Sequence, residues 1–517
     1  MQFQKNKNIK PQIAKFGVLC LKSTAFAIKL YIVAILLSTN GFSYGTFDFN
    51  TNVKDAYIDI SRLKITAGQN KINKEKISNP SNLMPYFIEN YVDFFVLFIQ
   101  ENHSEYKSRL KNRNIRLEKL KSGDPASPYY LFCQAEVILQ WATIKLKFND
   151  KFGAAKDVYE AYNILERNKE LFPNFKENDK SLSIIHALAE SLPSLVRKTL
   201  GIKGSISLAT KEITELTNYV AKTNHIFKDE VVAIHSYILF YSNNKKEEAF
   251  ALFGVHNMDY TKSPLIAFLM ATMAQKNGKN DLAIKILEQR PKSSEYMPFY
   301  YLDFMYGKFK LFRLDTDAES YILKFVQNFK GQHYIKEAYQ KLAWSRLILK
   351  NDQAGYSNYL NQVKTKGKKL IDEDKQAFLE SSHQIIPDKI LLKSRLLYDG
   401  GYYSKAQQLL ILHSDNFSKR DLTTKCEFNY RMGRINDALK NYHDAMDYYA
   451  TAIKQGDSMT YFACASALYL GIIYENLRNY TMAKENYNLC LNFDPDGYAT
   501  SLHQKASSGL ERIKSRN

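Results

Sequence analysis

Residues 470–495 read LGIIYENLRNYTMAKENYNLCLNFDP, and the spacing of the small residues in this stretch decides the fold. Gly471 and Ala483 lie twelve positions apart on either side of a polar turn at Asn476–Asn479, and Pro495 ends the second segment. Because two helices approach closely only where their side chains are small, this spacing predicts a tight helical hairpin. Aromatic residues at helical spacing around the small ones predict its buried face.

The twelve-residue offset recurs along the chain. The other pairs are Thr143 and Ala155, Tyr237 and Ala249, Ala271 and Ala283, and Gly433 and Ala445. The pairs that begin at positions 237 and 271 are 34 residues apart, which gives the middle of the chain an internal period. A single hairpin cannot bury its apolar face alone, so the repetition predicts stacked neighbours.

This pattern resembles the tetratricopeptide repeat (TPR) family, whose unit is a helix–turn–helix of about 34 residues. The resemblance implies an all-α, TPR-like solenoid of stacked antiparallel hairpins that holds other proteins. A second, local resemblance lies at residues 192–204, where Leu192-Pro193 is followed by Gly201-x-x-Gly204. This segment looks like one in a eukaryotic family of TPR-containing proteins linked to inclusion-body clearance.

The repeats and the composition divide the chain into six parts. Only 21 glycines and 12 prolines occur in 517 residues, which favours helices over turn-rich sheets throughout. The predicted parts are a signal peptide (1–45), an N-terminal helical region (46–125), divergent TPR-like repeats (126–363), a charged hinge or helix (364–386), C-terminal TPR repeats (387–498) and a capping helix (499–517).

The N-terminal segment predicts export. It is basic, and its apolar run Leu30–Leu37 is too short to span a membrane but has the length of a signal-peptide core. Ser43 and Gly45 supply small residues for a cleavage site. We therefore expect a bacterial-type protein of the periplasm or outer cell envelope, cut near Gly45. The alternative is a membrane anchor formed by residues 30–44, and only then is membrane contact expected.

The sequence carries no recognisable catalytic chemistry. Its five cysteines include no CxxC pair, and motifs of metalloproteases, serine hydrolases, phosphate loops and dinucleotide sites are missing. The formal net charge of +19 would suit an anionic partner. Without an arginine-rich stripe or a nucleic-acid motif, however, a lysine-rich solvated surface is the simpler interpretation. We expect no enzyme activity, metal, cofactor or nucleic acid.

Candidate binding residues follow from the TPR resemblance, because TPR ligands usually lie in a concave groove lined by the first helix of each hairpin. Transferred to this sequence, those positions imply that exposed side chains contact a partner, namely Arg395, Tyr430, Arg434, Glu475 and Asn476. The carboxylate clamp of chaperone-binding TPR proteins requires lysine and asparagine where this chain has Tyr430 and Leu468. A chaperone partner is therefore not expected.

Together these observations predict a non-catalytic protein–protein interaction scaffold of the cell envelope that binds a protein or peptide in the groove. The alternative is an envelope binding protein that captures a nutrient, glycan or lipid for uptake. An aromatic pocket would favour capture, whereas a continuous charged groove would favour scaffolding. The sequence leaves the oligomeric state open.

Overall fold

The computed structural model describes residues 44–191, 201–223, 225–383, 386–495 and 498–514. Within these ranges the chain is all-α, and its helices pack in neighbouring pairs, so the predicted helical solenoid is confirmed. Extended pairing in the described chain is limited to two single-residue bridges, between Gly45 and Gly123 and between Thr46 and Asn82.

The helices of the described chain are numbered here in chain order. They are α1 (Thr51–Ser61), α2 (Ile65–Ser78), α3 (Met84–Gln100), α4 (His103–Lys121), α5 (Pro128–Lys147), α6 (Lys151–Leu171), α7 (Asn178–Ser191), α8 (Ile206–Thr223), α9 (Lys228–Tyr237), α10 (Lys246–Val255), α11 (Pro264–Lys276), α12 (Asn280–Gln289), α13 (Tyr300–Phe312), α14 (Ala318–Asn328), α15 (Ile335–Leu349), α16 (Gln353–Thr365), α17 (Asp372–His383), α18 (Lys389–Asp399), α19 (Tyr403–Leu412), α20 (Ser414–Ser418), α21 (Leu422–Ala438), α22 (Tyr442–Gln455), α23 (Tyr461–Asn476), α24 (Tyr480–Asn492) and α25 (Ala499–Lys514). One π-helical turn, Ile238–Ser242, follows α9.

The turns between the paired helices share one backbone conformation. Each has a single residue in the left-handed conformation, and these residues are Asn149, Asn244, Gly278, Leu314, Asn351, Gly401, Lys440 and Arg478. In the last hairpin the next residue, Asn479, donates its backbone N–H to the Tyr474 carbonyl at 2.9 Å, and Asn441 bonds to Asn436 in the same way. This six-to-one hydrogen bond ends a helix and reverses the chain. It therefore fixes where each second helix begins.

The small residues lie at fixed distances from this turn. Gly471 and Ala483 are seven positions before and five positions after Arg478. A Cβ atom on Gly471 would lie 2.8 Å from Cδ1 of Tyr487 in α24, and one on Gly433 would lie 2.6 Å from Cδ1 of Tyr449 in α22. Both distances are shorter than van der Waals contact, so glycine is required at these two positions.

The same rule corrects the predicted register of the α5–α6 hairpin. Its left-handed residue is Asn149, so the small pair is Ala142 and Ala154, each about 1% exposed. The predicted partner Ala155 is exposed. The prediction of a Thr143–Ala155 contact is therefore wrong by one residue.

The α9–α10 hairpin departs from the pattern for a different reason. The π-helical turn after α9 adds one residue before the left-handed Asn244. Consequently Ser236 is buried at the contact position, whereas Tyr237, the predicted contact residue, is 52% exposed.

Contacts between distant parts of the chain close the solenoid on itself. The carboxylate of Glu101, which ends α3, accepts hydrogen bonds from the backbone N–H groups of Gln332 and His333 and from Nδ1 of His333 at 2.7 Å. Lys147 lies 2.7 Å from its other oxygen. Burial raises the pKa of Glu101, but these partners outweigh it and hold the pKa at about 2, so the linking carboxylate is ionised near neutral pH.

A second long-range contact joins the turns of two hairpins. The turn at Gly401 packs against the turn at Gly278 so closely that a Cβ atom on Gly401 would lie 2.4 Å from the Gly278 carbonyl oxygen. The Tyr402 hydroxyl donates to Asp281 at 2.8 Å. Helix α18 consequently packs against α13 as well as α15.

The charged segment at 364–386 contains the helix α17, which packs against α15 and α16. The buried carboxylate of Asp374 accepts hydrogen bonds from the backbone N–H groups of Tyr334 and Glu337 at the start of α15, at 2.8 and 3.0 Å. Burial raises the pKa of Asp374 to about 6, against the lowering effect of these bonds. Asp374 thereby fixes α17 in place.

Two sequence predictions lie partly or wholly beyond the described residues. These are the predicted signal segment, apart from Tyr44 and Gly45, and residues 192–200 of the stretch that looks like the eukaryotic TPR proteins. Among the described helices, none combines the length and apolar character needed to cross a bilayer.

The corrected register of α6 predicts opposite effects at adjacent alanines. Ala154→Arg should lower the free energy of unfolding by roughly 3–4 kcal/mol, because it forces a charge into a closed helix contact. Ala155→Arg should change it by no more than about 0.5 kcal/mol, because the position is exposed and arginine favours helices. Urea denaturation of both variants measures the difference, and equal destabilisation would contradict this register.

Candidate functional site

The C-terminal first helices form one continuous face. Helices α18, α21, α23 and α25 each contact the next one in this series. In the described chain, the second helices α22 and α24 do not pack against each other to a comparable extent. The first helices therefore line the tighter, inner side of the stack, as the TPR resemblance implies.

A pocket of about 630 Å³ opens on this inner face. Its walls come from α15, α17, α18, α21 and α23, together with the loops around Pro387, Met459 and Tyr498. No residue of the second helices α16, α19, α22 or α24 is part of its lining. A volume of this size suits a drug-sized ligand or a few residues of a peptide.

Aromatic rings make up much of the pocket wall. The rings are those of Trp344, Tyr398, Tyr430, Tyr461, Phe462 and Tyr498. The Tyr430 ring lies 5.4 Å from Phe462 and 6.0 Å from Tyr461, and Tyr461 lies 5.4 Å from Tyr498, measured between centroids. These distances are typical of packed aromatic pairs, so these four rings form one connected surface.

Arg434 is held within this aromatic wall. Its guanidinium donates to the hydroxyl oxygens of Tyr398 at 3.2 Å and Tyr430 at 3.0 Å, and it lies 4.3 Å from the Tyr398 ring centroid. Burial raises the pKa of Tyr430, but the charge of Arg434 and the hydrogen bonds with Tyr461 and Arg434 outweigh burial and lower it. Arg434 and the two tyrosines therefore form one fixed polar unit.

The other two arginines of the pocket differ in how they are bound. Arg431 donates from Nε and Nη2 to one oxygen of Glu427. Arg395 lies over the Trp344 ring, 4.7 Å from its centroid, and the nearest carboxylate oxygen, on Asp399, is 3.9 Å from its Nε. A separation of 3.9 Å exceeds hydrogen-bond distance, so Arg395 is positioned by stacking.

The indole beneath Arg395 is itself fixed. Glu380 in α17 accepts a hydrogen bond from Nε1 of Trp344 at 2.6 Å and another from Gln340 at 2.6 Å. Lys341 lies 3.8 Å from the same ring. Burial, together with the positive charges of Lys308 and Arg395, lowers the pKa of Lys341 to about 8. The positive charges of Lys341 and Arg395 at the Trp344 ring are therefore set against the Glu380 carboxylate, which accepts the hydrogen bond from the same indole.

The structure brings together three of the five predicted partner-binding residues. Arg395, Tyr430 and Arg434 all line the pocket, whereas Glu475 and Asn476 lie outside it. Asn476 is exposed at the end of α23. The expectation that all five are exposed is wrong for Tyr430 and Glu475, which are 3% and 7% exposed. Tyr430 is covered by rings at the start of α23.

Glu475 is buried because the last helix covers it. Its two oxygens accept hydrogen bonds from Nε and Nη2 of Arg512 in α25, at 2.9 and 2.8 Å. The Tyr487 hydroxyl of α24 donates to it at 2.6 Å. Glu475 therefore joins α23, α24 and α25.

Sequence reasoning missed the wall that faces the repeats. Gln376, Leu379 and Glu380 come from α17, and Tyr498 from the loop before α25. Trp344 is buried, yet it also lines the pocket. The charged composition of residues 364–386 does not indicate that this segment lines a pocket. Aromatic residues at the start of a first helix, such as Tyr461 and Phe462, are a sequence feature that could have indicated it.

No group of three or more His, Cys, Asp or Glu residues suited to a metal ion occurs in the described part of the chain. The arginines and tyrosines of the pocket are donors and ring surfaces, not metal ligands. The arrangement can hold a ligand through stacking, hydrogen bonds and charge.

The solved structures that resemble this chain include two IFIT1 structures with low TM-scores. The human IFIT1 dimer with PPP-AAAA is 13% identical over 89% of this chain and 95% of its own, with a TM-score of 0.29. An IFIT1 monomeric mutant with Gppp-AAAA is 15% identical over 83% of this chain and 100% of its own, with a TM-score of 0.26. TM-scores this low carry no information about ligands. No protein-family model and no curated protein matches the sequence.

The assignment of Glu475 to helix docking predicts a local effect of its substitution. Glu475→Gln removes the charge that binds Arg512, and should cost roughly 1–2 kcal/mol at this half-exposed ion pair. Amide hydrogen exchange in residues 499–514 should therefore rise about tenfold, while exchange in α21 stays unchanged. Asn476→Ala, at the adjacent exposed residue, is the control and should leave exchange as it is. Unaltered exchange in Glu475→Gln would contradict the docking role.

Proposed function

We propose that the protein is a non-catalytic helical-repeat scaffold that holds a short peptide segment of another protein in the pocket between α17 and the C-terminal first helices. The observation that carries the proposal is the lining itself, which combines a connected aromatic wall with three arginines. Aromatic and arginine side chains dominate the binding energy of protein interfaces, because each combines a large contact area with directional hydrogen bonds.

The shape of the pocket limits what it can hold. The wall from α17 and Tyr498 faces the repeats, so the site is a pocket and not an open groove along the whole inner face. A peptide would therefore insert a few side chains here. The fixed positions of Arg434 and Trp344 reduce the entropy lost on binding, since their hydrogen bonds exist before the ligand arrives.

A second candidate function is the capture of a small ligand such as a glycan. The six rings of the lining favour it, because rings offer flat platforms for stacking. The charges in the pocket favour a peptide instead. Four acidic residues and three arginines line one pocket, a mixture that matches side chains of both signs.

A pocket-blocking variant tests the proposal. Thr423 is exposed at the rim of the pocket, and Thr423→Trp should fill the entrance without disturbing the core. Immobilised protein is incubated with a synthetic mixture of short random peptides, and the captured peptides are sequenced by mass spectrometry. The wild type should enrich defined sequences, and Thr423→Trp should reduce the enrichment by about tenfold.

The matched control is Thr451→Trp, which places the same side chain at an exposed position of α22 outside the pocket. It should behave as the wild type does. An oligosaccharide array run in parallel tests the second candidate. Glycan binding that Thr423→Trp abolishes, without any peptide enrichment, would replace the peptide proposal by ligand capture.

We also propose that the scaffold works in the cell envelope after cleavage of its N-terminal segment. The support is the basic N-terminus, the apolar run Leu30–Leu37 and the small residues Ser43 and Gly45. N-terminal sequencing of the protein isolated from its native cells should begin near Thr46. A mature cytosolic protein that begins at Met1 or Gln2 would refute export.

A further inference from the structure

The three arginines of the pocket differ in the hydrogen bonds that they already make. Arg431 is bound to Glu427, and Arg434 donates to two tyrosine hydroxyls. Arg395 has no acceptor within hydrogen-bond distance among the described residues, since its nearest carboxylate oxygen is 3.9 Å away. A guanidinium carries five N–H donors in a fixed plane. Arg395 therefore presents its donors to the pocket.

The position of Arg395 is set before any ligand binds. Its guanidinium stacks on Trp344, and the indole is fixed by Glu380 through the hydrogen bond from Nε1. The side chain is one-third exposed, so it is neither buried in the core nor fully solvated. Stacking leaves the edge of the guanidinium plane open, and this edge is the part that binds carboxylates through two parallel hydrogen bonds.

The charges around Arg395 select for a single negative charge. Asp399 lies 3.9 Å from Nε of Arg395, and Glu380 accepts a hydrogen bond from Nε1 of the indole on which Arg395 stacks. Both carboxylates repel a dianion such as a phosphate monoester, and neither binds Arg395 through a hydrogen bond. A carboxylate carries one charge and matches the guanidinium geometry. A nucleic acid, with a phosphate at every nucleotide, would meet four acidic residues in the same lining.

The residues around Arg395 indicate which type of side chain would lie next to a carboxylate bound there. The rings of Tyr461 and Tyr498 contact each other in a tilted arrangement, 5.4 Å apart between centroids, and both line the pocket together with Arg395. A side chain next to a bound carboxylate would meet these rings. The wall therefore favours an apolar or aromatic neighbour.

We propose that Arg395 is the specificity-determining residue of the pocket, and that it binds the side-chain carboxylate of an aspartate or glutamate adjacent to an apolar residue in the bound peptide. The inference rests on the proposed peptide-binding function. It goes beyond that function by naming the ligand chemistry and the residue that recognises it.

The test uses the full-length protein and a mixture of short peptides whose N-termini are acetylated and whose C-termini are amidated, so that the carboxylates present are side chains. Wild type should enrich sequences with aspartate or glutamate beside an apolar residue. Arg395→Gln keeps a polar side chain over Trp344 but loses the charge. It should reduce the acidic enrichment about tenfold while apolar residues remain enriched.

Arg420→Gln is the matched control, because it removes one charge from the loop before α21, outside the pocket lining. It should retain the acidic preference. An unchanged melting temperature of Arg395→Gln shows that the loss is one of recognition, as expected for a side chain held by stacking alone.

The possible outcomes separate this inference from the proposed function. An acidic preference that survives in Arg395→Gln, or a wild-type preference without acidic residues, would overturn the inference and leave peptide binding intact. If neither the wild type nor any variant enriches a peptide, both the inference about Arg395 and the proposed peptide-binding function are refuted. Enrichment only from a mixture with free C-termini would mean that Arg395 binds a chain terminus. Arg395-dependent binding of a short fluorescent RNA, without peptide enrichment, would assign the site to phosphate.

Discussion

The close approach of two helices within each hairpin is the contact on which the rest of the structure depends. At Gly433 and Gly471 a tyrosine ring of the second helix lies directly against the backbone of the first. This packing sets the distance between the two helices, and the same ring then contacts the next hairpin. Tyr449 lies 6.0 Å from Tyr469 of the following first helix, and Tyr487 lies against Gly509 of α25. One contact thus transmits the geometry of each hairpin to the next, and it is the reason why the first helices converge into a shared face.

The sequence predicted this contact well where the turn is regular. Ala271, Gly433 and Gly471 are buried, and so are their partners twelve residues later. The prediction failed at Ala155 because the twelve-residue spacing of the small residues results from the geometry of the turn and does not determine it. The left-handed residue fixes the register, and a period counted from residue types alone can slip by one position. A π-helical turn shifts the register again before Asn244, and no propensity rule predicts such a turn.

The long-range contacts could not be predicted at all. Glu101 meets His333 across 232 positions, and the turns at Gly278 and Gly401 touch because the solenoid curves back on itself. Curvature accumulates from small rotations between hairpins, and a single sequence does not reveal it. These contacts nevertheless decide where the pocket lies. They place α18 beside α13 and leave α17 against the inner face, so that a charged segment of uncertain role in the sequence becomes one wall of the site.

The candidate site shows how one face of a repeat serves two purposes. Arg395, Arg434 and Glu475 all occupy inward positions of first helices, so periodicity alone treats them alike. What separates them is the next element along the stack. At Glu475 the last helix covers the face, and the carboxylate becomes part of a buried link to Arg512. At Arg395 the opposite wall stands away from the face and encloses an open volume, so a similar charged side chain is left facing a ligand. The position of a residue in the stack, more than its type, therefore determines whether it holds the protein together or is available to bind something else.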